Sequence, residues 1–261
     1  MATGLTTVLA DADAASRRAP ARRAAAKAPQ CPTAGSQTVV FSKAVNGSTF
    51  VTPDGMQVRL AGVLAPGEGG ETVSQDKAEA ARGLLAAELR SGPVTLAAVD
   101  SNDRYGRLLA QVFVDGGWVQ GAMLRAGVLL AAPDRGSALC MKLLTSAEDE
   151  ARMARAGHWR DGTFSLHTPE QLRGRTGLFE IVEGKVVTAM LNKGRAYIDF
   201  GPDYHTDFTV TIAPEDMKAF RQARFDVKKL AGQTVRVRGW IELYNGPEIE
   251  ISTPGAIQPL N

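Results

Sequence analysis

Turn signals cut the first half of this chain into short runs, and short runs can only form a small, strand-rich fold. Pro53-Asp54-Gly55 separates the apolar runs Ser48–Thr52 and Met56–Val63 and predicts a hairpin. Ser91-Gly92-Pro93 and Asp115-Gly116-Gly117 bound two further predicted strands, Val94–Val99 and Leu108–Val114. A weakly alternating stretch, Thr38–Ala44, precedes them. Helical periodicity appears in three places. Gln75–Glu88 puts Ala78, Ala81, Leu84 and Leu85 on one stripe, Val119–Arg125 follows a turn, and Ala138–Arg155 aligns Leu139, Leu143, Ala147 and Ala151 before Gly157 ends it. Five short strands with helices packed against them predict an OB-type barrel in a mainly β protein with helices (α+β).

From about Thr163 the pattern starts again. Gly177–Met190 reads as one strand kinked at Gly184, and Asn192-Lys193-Gly194 turns it into Arg195–Phe200. Asp207–Ile212 is a further strand, and Pro214-Glu215-Asp216 opens a helix to about Arg224. Val235–Leu243 and Glu248–Ile251 form a predicted hairpin across Tyr244-Asn245-Gly246-Pro247. Five strands and one helix predict a second small β-rich, OB-like domain. The expected division is a basic N-terminal segment over 1–37, a barrel over 38–162 and the second domain over 163–261.

The segment before the barrel carries Arg17, Arg18, Arg22, Arg23 and Lys27 among alanines and prolines, with no aromatic residue, and reads as a solvated arm. The whole chain has a net charge of only +2, too little to argue for a polyanionic partner by itself. No apolar run approaches the roughly 20 residues that span a bilayer. Leu5–Ala10 is a short apolar run, and Ala10-Asp11-Ala12 loosely matches a small-residue cleavage site. The chain is therefore exported or periplasmic if this is a truncated signal peptide, and cytoplasmic otherwise. Cys31 and Cys140 are compatible with a disulfide or with a buried thiol, and spacing does not choose between them. His158, His167 and His205 are scattered, and no Cys/His set has zinc spacing.

Four motifs occur in order: Asn46-Gly47-Ser48-Thr49, Arg59-Leu60-Ala61-Gly62-Val63-Leu64-Ala65-Pro66-Gly67, Asp103-Arg104-Tyr105-Gly106-Arg107, and Glu148 to Arg152 followed by Gly157-His158-Trp159. This order resembles the thermonuclease (staphylococcal-nuclease-like) family, whose motifs read D-G-D-T, R-L-x-x-[VI]-D-[TA]-P-E and D-[KR]-Y-G-R. The resemblance covers about residues 38–160. It implies an OB-type barrel, a calcium-dependent phosphodiesterase site and phosphate contacts from Arg59, Arg107 and Tyr105.

The same alignment removes the chemistry. It puts Ser48 and Leu64 where the family has its metal carboxylates, Gly67 where it has its glutamate, and Asn46 at the supporting acidic position. Only the Ala65 carbonyl remains of that ligand set. Calcium needs several oxygens, charged ones among them, so the expectation is no metal, no cofactor and no confident catalytic residue. Glu68 and Glu71 lie just beyond the lost glutamate, and a shifted loop is the one route by which a carboxylate regains the site. The retained arginines then suit a phosphate, unless Asp103 or Asp100 pairs with one and Arg59 caps barrel carbonyls. Three functional readings follow. One is a non-catalytic protein that binds nucleic acid or another phosphate-bearing ligand, or acts as a scaffold. One is an active phosphodiesterase with a remodelled site. The third is a structural subunit that meets a protein partner through the basic arm or the second domain. In that domain Tyr197, Phe200, Tyr204, Phe208, Trp240 and Tyr244 lie among Arg195, Arg236 and Arg238, an arrangement that stacks bases when exposed and packs as core when buried. Trp159 is expected to pack onto the barrel.

Overall fold

The fold is taken from a computed structural model that describes residues 31, 35–134, 137, 140–203 and 205–260, with backbone alone at 98–101. The first unit is an OB-type barrel. Its strands are β1 (Ser36–Val39), β2 (Lys43–Ala44), β3 (Thr49–Val51), β4 (Gln57–Leu60), β5 (Val63–Leu64), β6 (Val94–Asn102), β7 (Leu108–Val114), β8 (Gly117–Trp118) and β9 (Leu130–Ala131). The main sheet runs β1-β6-β7-β4-β3-β2, with β8 paired to β7. The β3–β4 hairpin turns at Pro53-Asp54-Gly55, where Gly55 takes φ +89°, a left-handed conformation that costs glycine little. The parallel pairing of β4 with β7 brings Arg59 beside Leu109 and sets the two arginine-bearing motifs on one side of the barrel.

Helices α1 (Gln75–Arg90), α2 (Val119–Arg125) and α3 (Met141–Met153) close the barrel. α1 buries Ala81, Leu85 and Leu89, and the two leucines meet Phe50, Leu60, Leu96 and Val112 in one core. The expected start of the last helix, Ala138-Leu139, lies outside the described residues. Cys31 and Cys140 form a disulfide with Cα atoms 5.4 Å apart, which fixes Cys31 to the start of α3.

α3 also buries an acid. Glu148 shares a face with Leu144 and Ala151 and is 1 % exposed. A buried carboxylate needs both charge and hydrogen bonds to compensate its lost hydration. Its Oε1 accepts from the Ala131 amide at 2.7 Å, and its Oε2 accepts from Arg238 Nη1 at 2.6 Å. Arg238, also 1 % exposed, donates to the Ala131 carbonyl at 2.9 Å.

That arginine belongs to the second unit, which is built from β10 (Phe179–Lys185), β11 (Thr188–Asn192), β12 (Arg195–Asp199), β13 (Thr209–Ile212), α4 (Met217–Gln222), β14 (Thr234–Trp240), β15 (Glu242–Tyr244), β16 (Gly246–Glu250) and β17 (Ile257–Leu260). They form a three-stranded sheet, β10-β14-β17, and a five-stranded sheet, β11-β12-β13-β16-β15. Along β14 the period of two sorts the side chains. Val235 and Val237 enter the second core, while Arg236 and Arg238 face α3. Arg236 bonds both Asp149 (2.7 Å) and Glu183 (3.1 Å). Gln258 of β17 reaches Thr145 at 3.0 Å, and the Phe179 amide donates to the Gly69 carbonyl at 2.7 Å. A third apolar cluster spans the junction and holds Leu64, Leu130, Trp159, Phe164, Phe179 and Ile181. Trp159 thus packs where the barrel meets the second unit.

Two expectations for this unit are corrected. Gly177–Met190 is not one strand. The chain leaves β10 at Lys185 and enters β11, in the other sheet, at Thr188: the Val186 amide still bonds the Gln233 carbonyl beside β14, but the next amide, that of Val187, bonds the Asp199 carbonyl of β12. Val235–Leu243 likewise breaks at buried Ile241, so β14 pairs with β10 and β17, while the hairpin is β15–β16 around Asn245 at φ +63°. The second unit accordingly has eight strands among the described residues, not five.

Two predictions follow from the junction. Glu148→Leu or Arg238→Met alone leaves an uncompensated buried charge and should cost about 3–5 kcal/mol. The double variant should lose less than the sum, measured by urea unfolding. His158, against Asp161 and Lys77, and His167, with Nδ1 2.9 Å from Glu180 Oε2 and Arg175 close by, are both held below the ordinary 6.5, mainly by burial. A depressed folded-state pKa means that the unfolded chain takes up more protons below pH 6.5. The stability these histidines contribute is therefore present above about pH 6.5 and lost as pH falls below it. Melting temperatures between pH 7.5 and 5 should fall, and the slope should flatten in His158→Gln/His167→Gln.

Candidate functional site

The degenerate motifs meet at the mouth of the barrel. Asn46 and Ser48 precede β3, Arg59 lies on β4, and the loop after β5 runs through Leu64-Ala65-Pro66-Gly67-Glu68. Gly47 lets the two loops approach, since a Cβ there would lie 2.7 Å from Ala81 Cβ and 2.9 Å from Ala65 Cβ. Gly67 takes φ +87°, which turns the chain so that Glu68 points back into the site.

Glu68 is the centre of the arrangement. Its Oε1 accepts from Arg59 Nη1 and from Asn46 Nδ2, each at 2.9 Å. Ser48 Oγ donates to the same carboxylate at 2.7–2.8 Å, and the Ala65 amide donates to Oε2 at 2.7 Å. Arg59 completes its set with the Val63 carbonyl at 3.1 Å. The Ala65 carbonyl already accepts from the Glu68 amide at 3.0 Å. Glu68 therefore gives Arg59 a counter-ion from within the chain. The side chains of Arg59 and Glu68 are only 12 % and 18 % exposed, so their pairing is weakly screened.

The second arginine is also paired. Arg107 Nε donates to Asp103 Oδ2 at 2.6 Å, and its Nη1 reaches Thr49 Oγ1 at 3.4 Å. Burial pushes the Asp103 carboxyl up, but hydrogen bonds from the amide and guanidinium of Arg107 and from the Tyr105 amide outweigh it and hold the group below its usual value. Tyr105 stands out from the surface, with the Arg104 and Arg107 guanidinium carbons 4.8 Å and 5.2 Å from its ring centre. Of the two alternatives for the arginines, the structure has the paired one, with Arg59 also on the Val63 carbonyl. Arg59 and Arg107 line one cleft, but each has its own carboxylate.

The residues present do not fit calcium. Ser48 and Asn46 offer neutral oxygens, Leu64 is turned into the junction cluster, Gly67 has no side chain, and the single carboxylate is neutralised by Arg59. Among the described residues no group of three or more His, Cys, Asp or Glu side chains is arranged to hold a metal ion. Glu68, the carboxylate between these loops, is engaged by four donors.

The cleft extends over the second unit, with a volume of about 870 Å³. Trp240, Gly239, Arg238, Thr253 and four carboxylates of that unit line it with Arg59, Glu68, Arg104 and Arg107. Sequence reasoning did not place these residues at the site. The only signal for them was the interleaving of aromatics and arginines, and the structure sorts that set. Phe200 and Phe208 are core, Arg236 and Arg238 are buried at the junction, Trp240 and Tyr244 are exposed, and Tyr204 lies outside the described residues.

If Glu68 is the anion of the site, Glu68→Ala leaves Arg59 without its counter-ion and should cost about 1–3 kcal/mol. Millimolar phosphate should then raise the melting temperature of the variant and not of the wild type. Equal shifts in both proteins would show that Glu68 does not occupy the position.

No curated protein matches the chain. A family model does match, over a segment that contains Arg59, Leu64 to Glu68, Asp103 to Arg107 and Trp159 and that starts after the Asn46 motif. Residues 57–161 are a staphylococcal nuclease homologue domain, joined here to a second β-rich unit.

Proposed function

We propose that this chain is a non-catalytic nuclease-like protein, in which the retained arginines hold the site loops together and the cleft between the two units is the binding surface. Domains of this family suggest a nuclease or a nucleic-acid binder. The observation that carries the non-catalytic reading is the engagement of Glu68 by Arg59, Ser48, Asn46 and the Ala65 amide. Phosphodiester hydrolysis needs a cation to neutralise developing charge and a base to activate water. Here the cation and the carboxylate are spent on each other. Nucleic acid or another phosphate-bearing ligand would have to meet the cleft at its Arg104–Tyr105 edge, the part of the family's phosphate surface that stays exposed.

One observation favours a second reading. Glu68 lies one residue after the position of the family's glutamate and still reaches the site, so an ion that drew it away from Arg59 would give a remodelled phosphodiesterase. The Cys31–Cys140 disulfide supports an oxidising, exported setting over a cytoplasmic one.

The test is calorimetry with calcium, together with cleavage assays on single- and double-stranded DNA and RNA across calcium, magnesium and manganese. The proposal expects neither binding heat nor cleavage. Cleavage that is abolished by Glu68→Gln would establish the second reading instead. Ser48→Asp/Leu64→Asp/Gly67→Glu should restore calcium-dependent cleavage only when Glu68→Ala is added, because the native carboxylate otherwise keeps its place. Metal and base act as a unit, so no single change should restore measurable activity.

A further inference from the structure

The second unit carries a charged surface that is separate from the cleft. From Met217 to Gln233 the chain has five cations, Lys218, Arg221, Arg224, Lys228 and Lys229, and one acid, Asp226. All five cations are exposed, and among the described residues none is in an ion pair. Asp226 accepts from the Lys228 amide at 3.1 Å, at the start of the short helix Val227–Leu230. The acids just before this stretch, Glu215 and Asp216, line the cleft. A surface with unpaired charge of one sign attracts an opposite charge from outside the chain.

Packing holds this basic segment along an open edge of the five-stranded sheet, where β11 is the last strand. At one end of β11, a Cβ on Gly194 would stand 3.6 Å from the Pro214 side chain, just before α4. At the other end, the Val186 amide donates to the Gln233 carbonyl at 2.8 Å, and the Val186 carbonyl accepts from the Gly232 amide at 2.9 Å. Between these points Val227 and Leu230 enter the second core, and their short helix packs against β11. Lys185 and Lys193, both exposed, flank the strand. Open edges are commonly guarded by a charge on the strand, but Thr188–Asn192 has none. It presents apolar side chains instead. Val187 and Leu191 are 52 % and 46 % exposed, and they share the side of Ala189, which packs on the second core. Met190, on the other side, is also exposed. An apolar strip rimmed by polar groups marks an interaction face.

We propose that the β11 edge and the segment 217–233 beside it form a docking surface for an anionic lipid bilayer. Lys218, Arg221, Arg224, Lys228 and Lys229 meet lipid phosphates, and Val187 and Leu191 enter the boundary between headgroups and acyl chains. A bilayer is the partner that uses both halves of this surface, because cations gather at anionic headgroups while aliphatic side chains beside them lose water. A nucleic-acid strand would use the charge alone. Its bases need ring faces to stack on, and the aromatics of this segment, Phe220 and Phe225, pack edge to face on each other at 5.5 Å. The inference goes beyond the proposed role of the cleft and does not rest on it.

The test is co-sedimentation of the full chain with vesicles of phosphatidylcholine alone and of phosphatidylcholine and phosphatidylglycerol in equal amounts. The expected result is binding to the anionic vesicles only, weakening as salt rises. Neutralising the segment in Lys218→Gln/Arg221→Gln/Arg224→Gln/Lys228→Gln/Lys229→Gln should weaken it about tenfold or more. Val187→Ser/Leu191→Ser should weaken it about threefold or more. The N-terminal cations are a second source of positive charge, so Arg17→Gln/Arg18→Gln/Arg22→Gln/Arg23→Gln/Lys27→Gln is measured alongside and should lose less than the segment variant. The substituted side chains of the second unit are exposed, and unchanged melting temperatures show that the variants are folded. No binding to anionic vesicles, full binding by the segment variant or by the serine variant, or a loss confined to the N-terminal variant overturns the inference. So does tighter binding of a labelled DNA oligonucleotide that the segment variant abolishes.

Discussion

The ion pair between Glu148 and Arg238 is the contact on which the arrangement of the two units depends. Each side chain is 1 % exposed, and Glu148 lies among the buried Leu144, Ala147 and Ala151 of α3. Alone, each would be a buried charge of prohibitive cost. Together, and with the Ala131 amide and carbonyl, they satisfy all but one of their polar groups. A buried pair of this kind contributes little net stability compared with a hydrophobic replacement. What it adds is specificity, since sheet β10-β14-β17 meets α3 in the register that matches arginine to glutamate. The neighbouring Arg236–Asp149 contact repeats the rule one strand period earlier.

That register has a functional consequence. By fixing β14 against α3 it sets Trp240, Thr253 and the carboxylates of the second unit across from the motif loops of the barrel. The mouth of a nuclease-like domain thereby becomes one wall of a two-walled cleft. In the same place the loop after β5 folds Glu68 inward to neutralise Arg59. Both place carboxylates beside the arginines of the motifs, one from within the motif loops and the other from the second unit.

Much of this was legible in the sequence. The Pro53-Asp54-Gly55 turn, β7 and α2 follow directly from turn chemistry and periodicity, because local signals of that kind do not depend on distant partners. The loss of acidic residues at Ser48, Leu64 and Gly67 could be read by alignment alone, and so could the nearness of Glu68. What failed was strand continuity: in the barrel Thr38–Ala44 divides between β1 and β2 and Met56–Val63 between β4 and β5, and the second unit breaks its runs as well. Gly177–Met190 and Val235–Leu243 are each rich enough in strand formers to look continuous, and both break where a buried residue crosses from one sheet to the other. Sheet membership is decided by pairing across the fold, and no local pattern encodes it.

By itself the sequence determined the barrel and the presence of a second β-rich unit, since these rest on residue type and order. Only the tertiary structure decided what the remaining charges do. Arg59 and Arg107 could have waited for a phosphate, but they are paired with Glu68 and Asp103 because a loop geometry governed by Gly67 and a tight turn at Gly106 bring those carboxylates within hydrogen-bond reach. Arg238 could have been a surface cation, and it is the buried partner of a glutamate 90 residues away in the chain. Whether a charge is a binding group or an internal counter-ion depends on distances of a few ångströms between segments far apart in sequence, which is information that only the folded chain contains.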